Sequence, residues 1–344
     1  MYCFNSDYTE GCHPSVLKKL VETNMEQTGG YGLDPYCDEA RSLIKKVFAC
    51  PEADVHFLAG GTQANMTVVC AALRPHQGVY VASTGHPNNH EAGALEHQGH
   101  RVLTLETADG KLYAAQVKEA YEKYAGDPYN EHWAQPKMVY ISQPTEIGSM
   151  YTKKELQDLY QVCREAGLYL FIDGARLGYA LGAPACDMTP ADIAANCDVF
   201  YAGGTKCGLL FGEAVVITNP ALKPDFRTIA KQNGAIMAKG RMLGVQFGAI
   251  FKDNLYFDIC RKGVEQALAI RDALLAKGFK FVTDSPTNQQ FVILTPAQYE
   301  KLSSEFELGL TEYLDDGTLN VRICTSWATK DEQVAKLINM INEL

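Results

Sequence analysis

Short apolar runs, each closed by glycine or a polar turn, recur at 55–60, 79–83, 101–105, 137–142, 168–173, 199–202 and 214–218. Their length and their Val, Ile and Phe content predict buried strands, about seven of them. Between most of them lie segments with apolar residues three or four positions apart, at 62–73, 114–124 and 153–166, which predict helices. Strand alternating with helix predicts a largely parallel, doubly wound sheet flanked by helices. The link through Leu209-Leu210-Phe211-Gly212-Glu213 is too tight for a helical crossover, so it predicts a hairpin and one antiparallel strand.

After Gly240 the pattern changes to a long helical stretch over 242–277, with a break at Lys252-Asp253-Asn254. Strands at 279–282, 290–294 and 320–324 and a closing helix at 331–344 follow. The expected organisation is an N-terminal arm (1–14), a large α/β domain (15–240) and a smaller C-terminal α+β domain (241–344).

With 344 residues and 47% hydrophobic content, the chain can bury a large core. A formal net charge of -10 argues against nucleic acid or an anionic membrane as partner, because both reward clustered Lys and Arg. No apolar run is long enough to span a bilayer and the first residues do not read as a secretory signal, so a soluble cytoplasmic protein is expected. The 11 cysteines are scattered without a Cys-x-x-Cys pair and read as reduced core residues, with no structural metal site.

Three strand ends carry chemistry. Gly60-Gly61-Thr62-Gln63-Ala64-Asn65 turns a strand into a helix, where unpaired amides and the dipole favour a phosphate. It lacks the spacing of a nucleotide loop and reads equally as a glycine turn with a Thr cap. Asp173 ends a second strand, where a carboxylate can keep a pyridine nitrogen protonated or simply cap the next turn. Arg176, three residues on, can bind a substrate carboxylate through two prongs or pair with Asp173. Lys206 follows Val199-Phe200-Tyr201-Ala202-Gly203-Gly204-Thr205, an apolar strand leading to one amine among glycines that would let the backbone approach a ring. Burial and nearby positive charge would favour the neutral amine needed for a covalent bond to an aldehyde, whereas a solvated loop lysine would not explain the apolar approach.

Ser6-Asp7, Gly61-Thr62-Gln63-Ala64-Asn65, His86 five residues ahead of Glu91-Ala92-Gly93, Asp173-Gly174-Ala175-Arg176 and Lys206 together resemble the threonine aldolases and related β-eliminating lyases. That resemblance implies the aspartate-aminotransferase-like fold (fold type I) and pyridoxal 5′-phosphate as cofactor. It also implies cleavage of a β-hydroxy-α-amino acid to glycine and an aldehyde. Lys206 would hold the cofactor aldehyde, Asp173 the ring nitrogen, Gly61, Thr62 and Gln63 the phosphate, and His86 would stack on the ring. Ser6, Arg176 and Arg322 would hold the substrate carboxylate. Tyr31 and Lys231 would reach the site or its phosphate, in part from a neighbouring subunit, which implies a homodimer or homotetramer.

Where the aldolases carry Glu-Asn-Thr-His-Asn, this chain reads Gln143-Pro144-Thr145-Glu146-Ile147, so Glu146 stands in for a histidine that meets the substrate hydroxyl. The base that takes the hydroxyl proton is left among His86, Glu91, Glu146 and a water. The residues after Lys231 also depart from the family pattern. Three alternatives stay open: the same cofactor serving β-elimination, racemisation or transamination; a zinc site on His86 and His90, which a loop at His86 with its helix starting later would disfavour; and a non-catalytic regulatory protein on the same fold.

Overall fold

The structure, a computed structural model, describes residues 2–344, so Met1 of the expected arm lies outside the described residues. Its strands are β1 (Tyr2–Phe4), β2 (Asp54–Leu58), β3 (Gln77–Ala82), β4 (Arg101–Leu105), β5 (Gln135–Ser142), β6 (Tyr169–Asp173), β7 (Val199–Gly203), β8 (Glu213–Ile217), β9 (Gln289–Leu294), β10 (Phe306–Tyr313) and β11 (Leu319–Cys324). Strands β2 to β8 form one sheet in the order β2-β8-β7-β6-β5-β3-β4. The strands from β7 through β4 pair in parallel, and β8 runs antiparallel to both of its neighbours, as the tight 203–213 link predicts. β3, β7 and β8 are buried at every position, which follows from having packed layers on both faces and explains their unbroken apolar runs.

One face packs against Pro14–Thr23, Pro35–Val47, Lys153–Glu165 and Arg241–Phe251; the other packs against Gly61–Ala72 and Phe226–Gln232. Helix Lys153–Glu165 starts on a reciprocal Thr152/Glu155 cap and presents Leu156, Leu159 and Cys163 inward, a spacing of three to four residues. A second sheet of four strands, β1-β10-β11-β9, packs against the later turns of Leu255–Ala276 and against Asp331–Asn342.

Several expectations change. Residues 2–4 are a strand paired in parallel with β10, so the N-terminal segment belongs to the small sheet. β10 was not expected because its outer half, Thr311-Glu312-Tyr313, is exposed and polar enough to hide the strand pattern. The expected 279–282 strand is reduced to one bridge, Phe281 with Val292. The break at 252–254 is present, with Asp253 and Asn254 at φ of 52° and 65°. The core, however, runs past 240: Leu243, Phe247, Ile250, Tyr256 and Val264 pack with the large sheet, whereas Ile270 and Leu274 pack with the small one. The packing changes hands inside helix Leu255–Ala276.

The topology gathers the chemistry at one edge. β2, β3, β5, β6 and β7 end there, β8 begins there, and residue pairing sets Ser142 beside Asp173 and Glu213 between Leu58 and Gly203. Two glycines permit the closest approach. A Cβ at Gly174 would lie 1.8 Å from the Tyr201 carbonyl oxygen, and one at Gly203 would lie 2.4 Å from that of Ala175. Gly203, beside Lys206, thus serves a contact between backbones.

Candidate active site

A cavity of about 400 Å³ opens at this edge and is lined by Gly60, Gly61, Thr62, His86, Glu146, Asp173, Arg176 and Lys206, with Tyr8, His90, Tyr201, Thr205 and Glu213 among the other wall residues. Its size suits a small organic ligand.

Asp173 sits at the centre of a buried network. Its Oδ1 accepts from the Ala175 amide at 2.9 Å, and its Oδ2 accepts from Asn65 Nδ2 at 3.2 Å and from the Tyr140 hydroxyl. Burial alone would raise its pKa; His86 and the hydroxyls of Tyr140 and Tyr201 outweigh that and hold the carboxyl below its ordinary range. Asn65 also donates to Glu91 Oε1 at 2.5 Å, and that oxygen lies 2.8 Å from His86 Nδ1. For His86, burial works against the charged ring, but the Glu91 hydrogen bond and the Asp173 and Glu91 charges raise its pKa. Glu91 is itself buried and is not on the cavity wall, which corrects its candidacy as a base on substrate. It orients His86 instead.

The residues from His86 form a helical turn, His86–Asn89, contrary to the loop expected there. The His86 and His90 rings lie 5.4 Å apart. Among the described residues no three His, Cys, Asp or Glu side chains gather as a metal-ligating group, so the pair has no third ligand.

Lys206 is pushed toward the neutral amine by burial first and by the Arg176 charge second, with Asp7, Asp173 and Glu213 opposing. Its Nζ lies 5.9 Å from the Tyr8 ring centre. Across the cavity, helix Gly61–Ala72 begins at Gly60 with no side chain capping its first amides, so the anion-binding end is open and Thr62 stands beside it. Gln63 is not a wall residue: its Oε1 accepts from the Ala59 amide at 2.9 Å and its Nε2 donates to the Asn233 carbonyl at 3.1 Å. Its side chain braces the loop, which leaves its backbone amide, one of the uncapped first amides, for a ligand.

Arg176 reaches the wall already committed. Its Nε and Nη2 donate to the two oxygens of Asp7 at 2.7 and 3.0 Å, so its partner is neither Asp173 nor a free position for a two-pronged substrate contact. Asp7 is fully buried and also accepts from Asn288 Nδ2 at 2.9 Å. Burial would raise its pKa, but Arg176 and then Lys206 hold it below the ordinary range. Asp7 enters the sequence pattern only beside Ser6, and nothing local to it signals a partner at Arg176.

Ser6 is buried next to Asp7 and is not on the wall. Arg322 Nη2 donates to the Asn5 carbonyl at 2.6 Å, while its Nε is buried without a partner. Glu146 accepts from the His86 amide at 3.0 Å and from Ser142 Oγ at 2.5 Å. Its carboxyl is raised by burial, with Asp173 adding and Ser142 opposing. Tyr31 and Lys231 lie together, Nζ 4.9 Å from the ring centre, away from this cavity. Tyr140, Tyr201, Asn65, Asp7 and Glu213 are the site residues for which sequence reasoning supplied no role.

Pyridoxal phosphate fits this donor set: an open helix terminus for its phosphate, an ionised carboxylate for its ring nitrogen, an amine shifted toward neutrality and an imidazole on the wall. The family described as beta-eliminating lyase matches residues 4–306. A solved threonine aldolase of Leishmania major superposes with a TM-score of 0.97 at 43% identity, covering 100% of this chain and 99% of that one. A low specificity L-threonine aldolase of Pseudomonas aeruginosa is 28% identical over 97% of this chain and 95% of its own length. A Thermus thermophilus aspartate aminotransferase mutant, at 15% identity, shares the fold with a TM-score of 0.71 over 100% of this chain and 91% of that one. The chain belongs to the β-eliminating lyase family and is a pyridoxal-phosphate-dependent lyase of fold type I.

Proposed function

We propose that the protein is a threonine aldolase, cleaving threonine or allo-threonine to glycine and acetaldehyde. The observation that carries this is the convergence of Lys206, Asp173, His86, Glu146 and the open Gly60–Thr62 terminus on one cavity, in a chain 43% identical to a threonine aldolase along its full length. When bound, pyridoxal phosphate supplies an electron sink for the pair left on Cα as the Cα–Cβ bond breaks.

The side chains supply the rest. Lys206 offers its neutral amine as the attachment point, and Asp173, kept ionised by its hydroxyl and amide donors, holds a proton at the ring nitrogen. His86, oriented by Glu91, would pack against the cofactor from the cavity wall. The one nitrogen of Arg176 not taken by Asp7 stays on the cavity wall and would orient the substrate carboxylate. Glu146, on the wall and anchored by the His86 amide, takes the β-hydroxyl proton as the aldehyde leaves.

A homodimer or homotetramer accounts for Leu17, Val21, Met25, Tyr31 and Leu33, exposed apolar residues close together in sequence, and would let Tyr31 and Lys231 serve a neighbouring cavity. Eleven free cysteines are consistent with a reducing, cytoplasmic compartment, and no described helix is long and apolar enough to cross a membrane. The test is product analysis. Threonine and allo-threonine should yield acetaldehyde and glycine in equal amounts; pyruvate and ammonia from serine without any aldehyde would replace this reading with β-elimination.

A further inference from the structure

Of the acids on the cavity wall, Asp173 and Glu146 have tasks in the reading above and Glu213 has none. It opens β8 between Leu58 and Gly203, so it lies between the strand that leads into the Gly60–Thr62 terminus and the loop that carries Lys206. It is 3% exposed, and among the described residues it has no ion-pair partner. Its oxygens accept from the Gly204 amide at 3.0 Å and the Thr205 hydroxyl at 2.7 Å. A carboxylate on the same cavity wall as an open anion-binding terminus is electrostatically the wrong group, whereas a carboxylic acid is a donor that suits it.

We propose that Glu213 forms a wall of the phosphate cradle in its acid form, donating its O–H to a phosphate oxygen, so that loss of that proton weakens the hold on the cofactor's phosphate. The proposal rests on the cofactor assignment. The groups that face Glu213 are Lys206 from the loop after β7, Asp173 from β6, and the phenols of Tyr201 on β7 and Tyr256 on helix Leu255–Ala276. Burial pushes the carboxyl up to about 8, with Asp173 adding and Thr205, Lys206 and Gly204 opposing. A bound phosphate dianion would raise it further, so binding and protonation reinforce one another.

The experiment titrates the full chain, freed of cofactor, with pyridoxal phosphate and with 5′-deoxypyridoxal, which lacks the phosphate, following visible absorbance from about pH 7 to 9.5. The phosphate is dianionic throughout, its second pKa being about 6, and effects on the Lys206 amine are common to both ligands. The ratio of the two affinities should fall by up to about tenfold per pH unit above 8 in the wild type, the slope of a single linked proton. In Glu213→Gln, whose amide donates at every pH, the ratio should stay flat. A flat ratio in the wild type, or an equal fall in the variant, overturns the proposal. If the variant does not fold, the wild-type ratio alone decides. If pyridoxal phosphate itself gives no absorbance change, the cofactor assignment falls and takes this proposal with it.

Discussion

The two ends of the cavity are built differently. The end around Asp173 is built by the large sheet and the segments that follow its strands: Tyr140 lies in β5, Asp173 ends β6, His86 follows β3 and Asn65 lies in the helix after β2, all joined by hydrogen bonds. The end around Arg176 is assembled from afar. Asp7 on the N-terminal segment meets Arg176 after β6 and Asn288 before β9, and the Asn5 carbonyl meets Arg322 on β11. The first end can be rigid as soon as the sheet forms. The second requires the N-terminal segment, the large sheet and the small sheet to be in place together, so substrate recognition is coupled to how the two sheets pack.

That contrast can be broken from either side. The largest effect on activity should come from Asp173→Ala, which removes the carboxylate at the ring nitrogen; kcat should fall by about 10²- to 10³-fold, with a smaller loss of stability of about 1–3 kcal/mol from the Asn65, Tyr140 and Ala175 donors left unpaired. Asp7→Ala should reverse the pattern. It leaves the Arg176 charge unpaired beside a buried cavity, costing about 3–5 kcal/mol of stability, and raises KM, both readable by denaturant unfolding and steady-state kinetics. Because the folded-state pKa of Asp7 lies below its ordinary value, the stability it supplies is complete above about pH 4 and is lost as pH falls through the lowered value; Asp7→Asn should lack that acid-side loss. Glu91→Gln should have the smallest effect. It keeps a hydrogen-bonding side chain near His86 and removes the charge, so the His86 titration, followed by NMR, should move down while the fold is unchanged.

The same contrast explains what the sequence made legible. Asp173 and Lys206 were readable because each terminates an apolar strand, and parallel strands in one sheet bring such ends together. Tyr140 was hidden inside β5, where an aromatic reads as core and only the Asp173 beside it gives its hydroxyl a task. Asp7 was hidden because nothing in the sequence shows that the residues after β1 cross to Arg176, a separation of 169 positions. Arg176 was accordingly expected to be free for substrate. Gln63 and Glu91 lie in motifs but face away from the cavity, and spacing along a turn does not fix which way a side chain points. β10 escaped because only its first half alternates cleanly between buried and exposed.

The account depends on Lys206 being the residue that carries pyridoxal phosphate. Borohydride reduction of the holoenzyme, followed by proteolysis and mass mapping, tests this directly. The visible absorbance should disappear and one phosphopyridoxyl group should appear on the peptide containing Lys206, with none on Lys231. A label on any other lysine, or a protein that takes up no cofactor to be reduced, would contradict it.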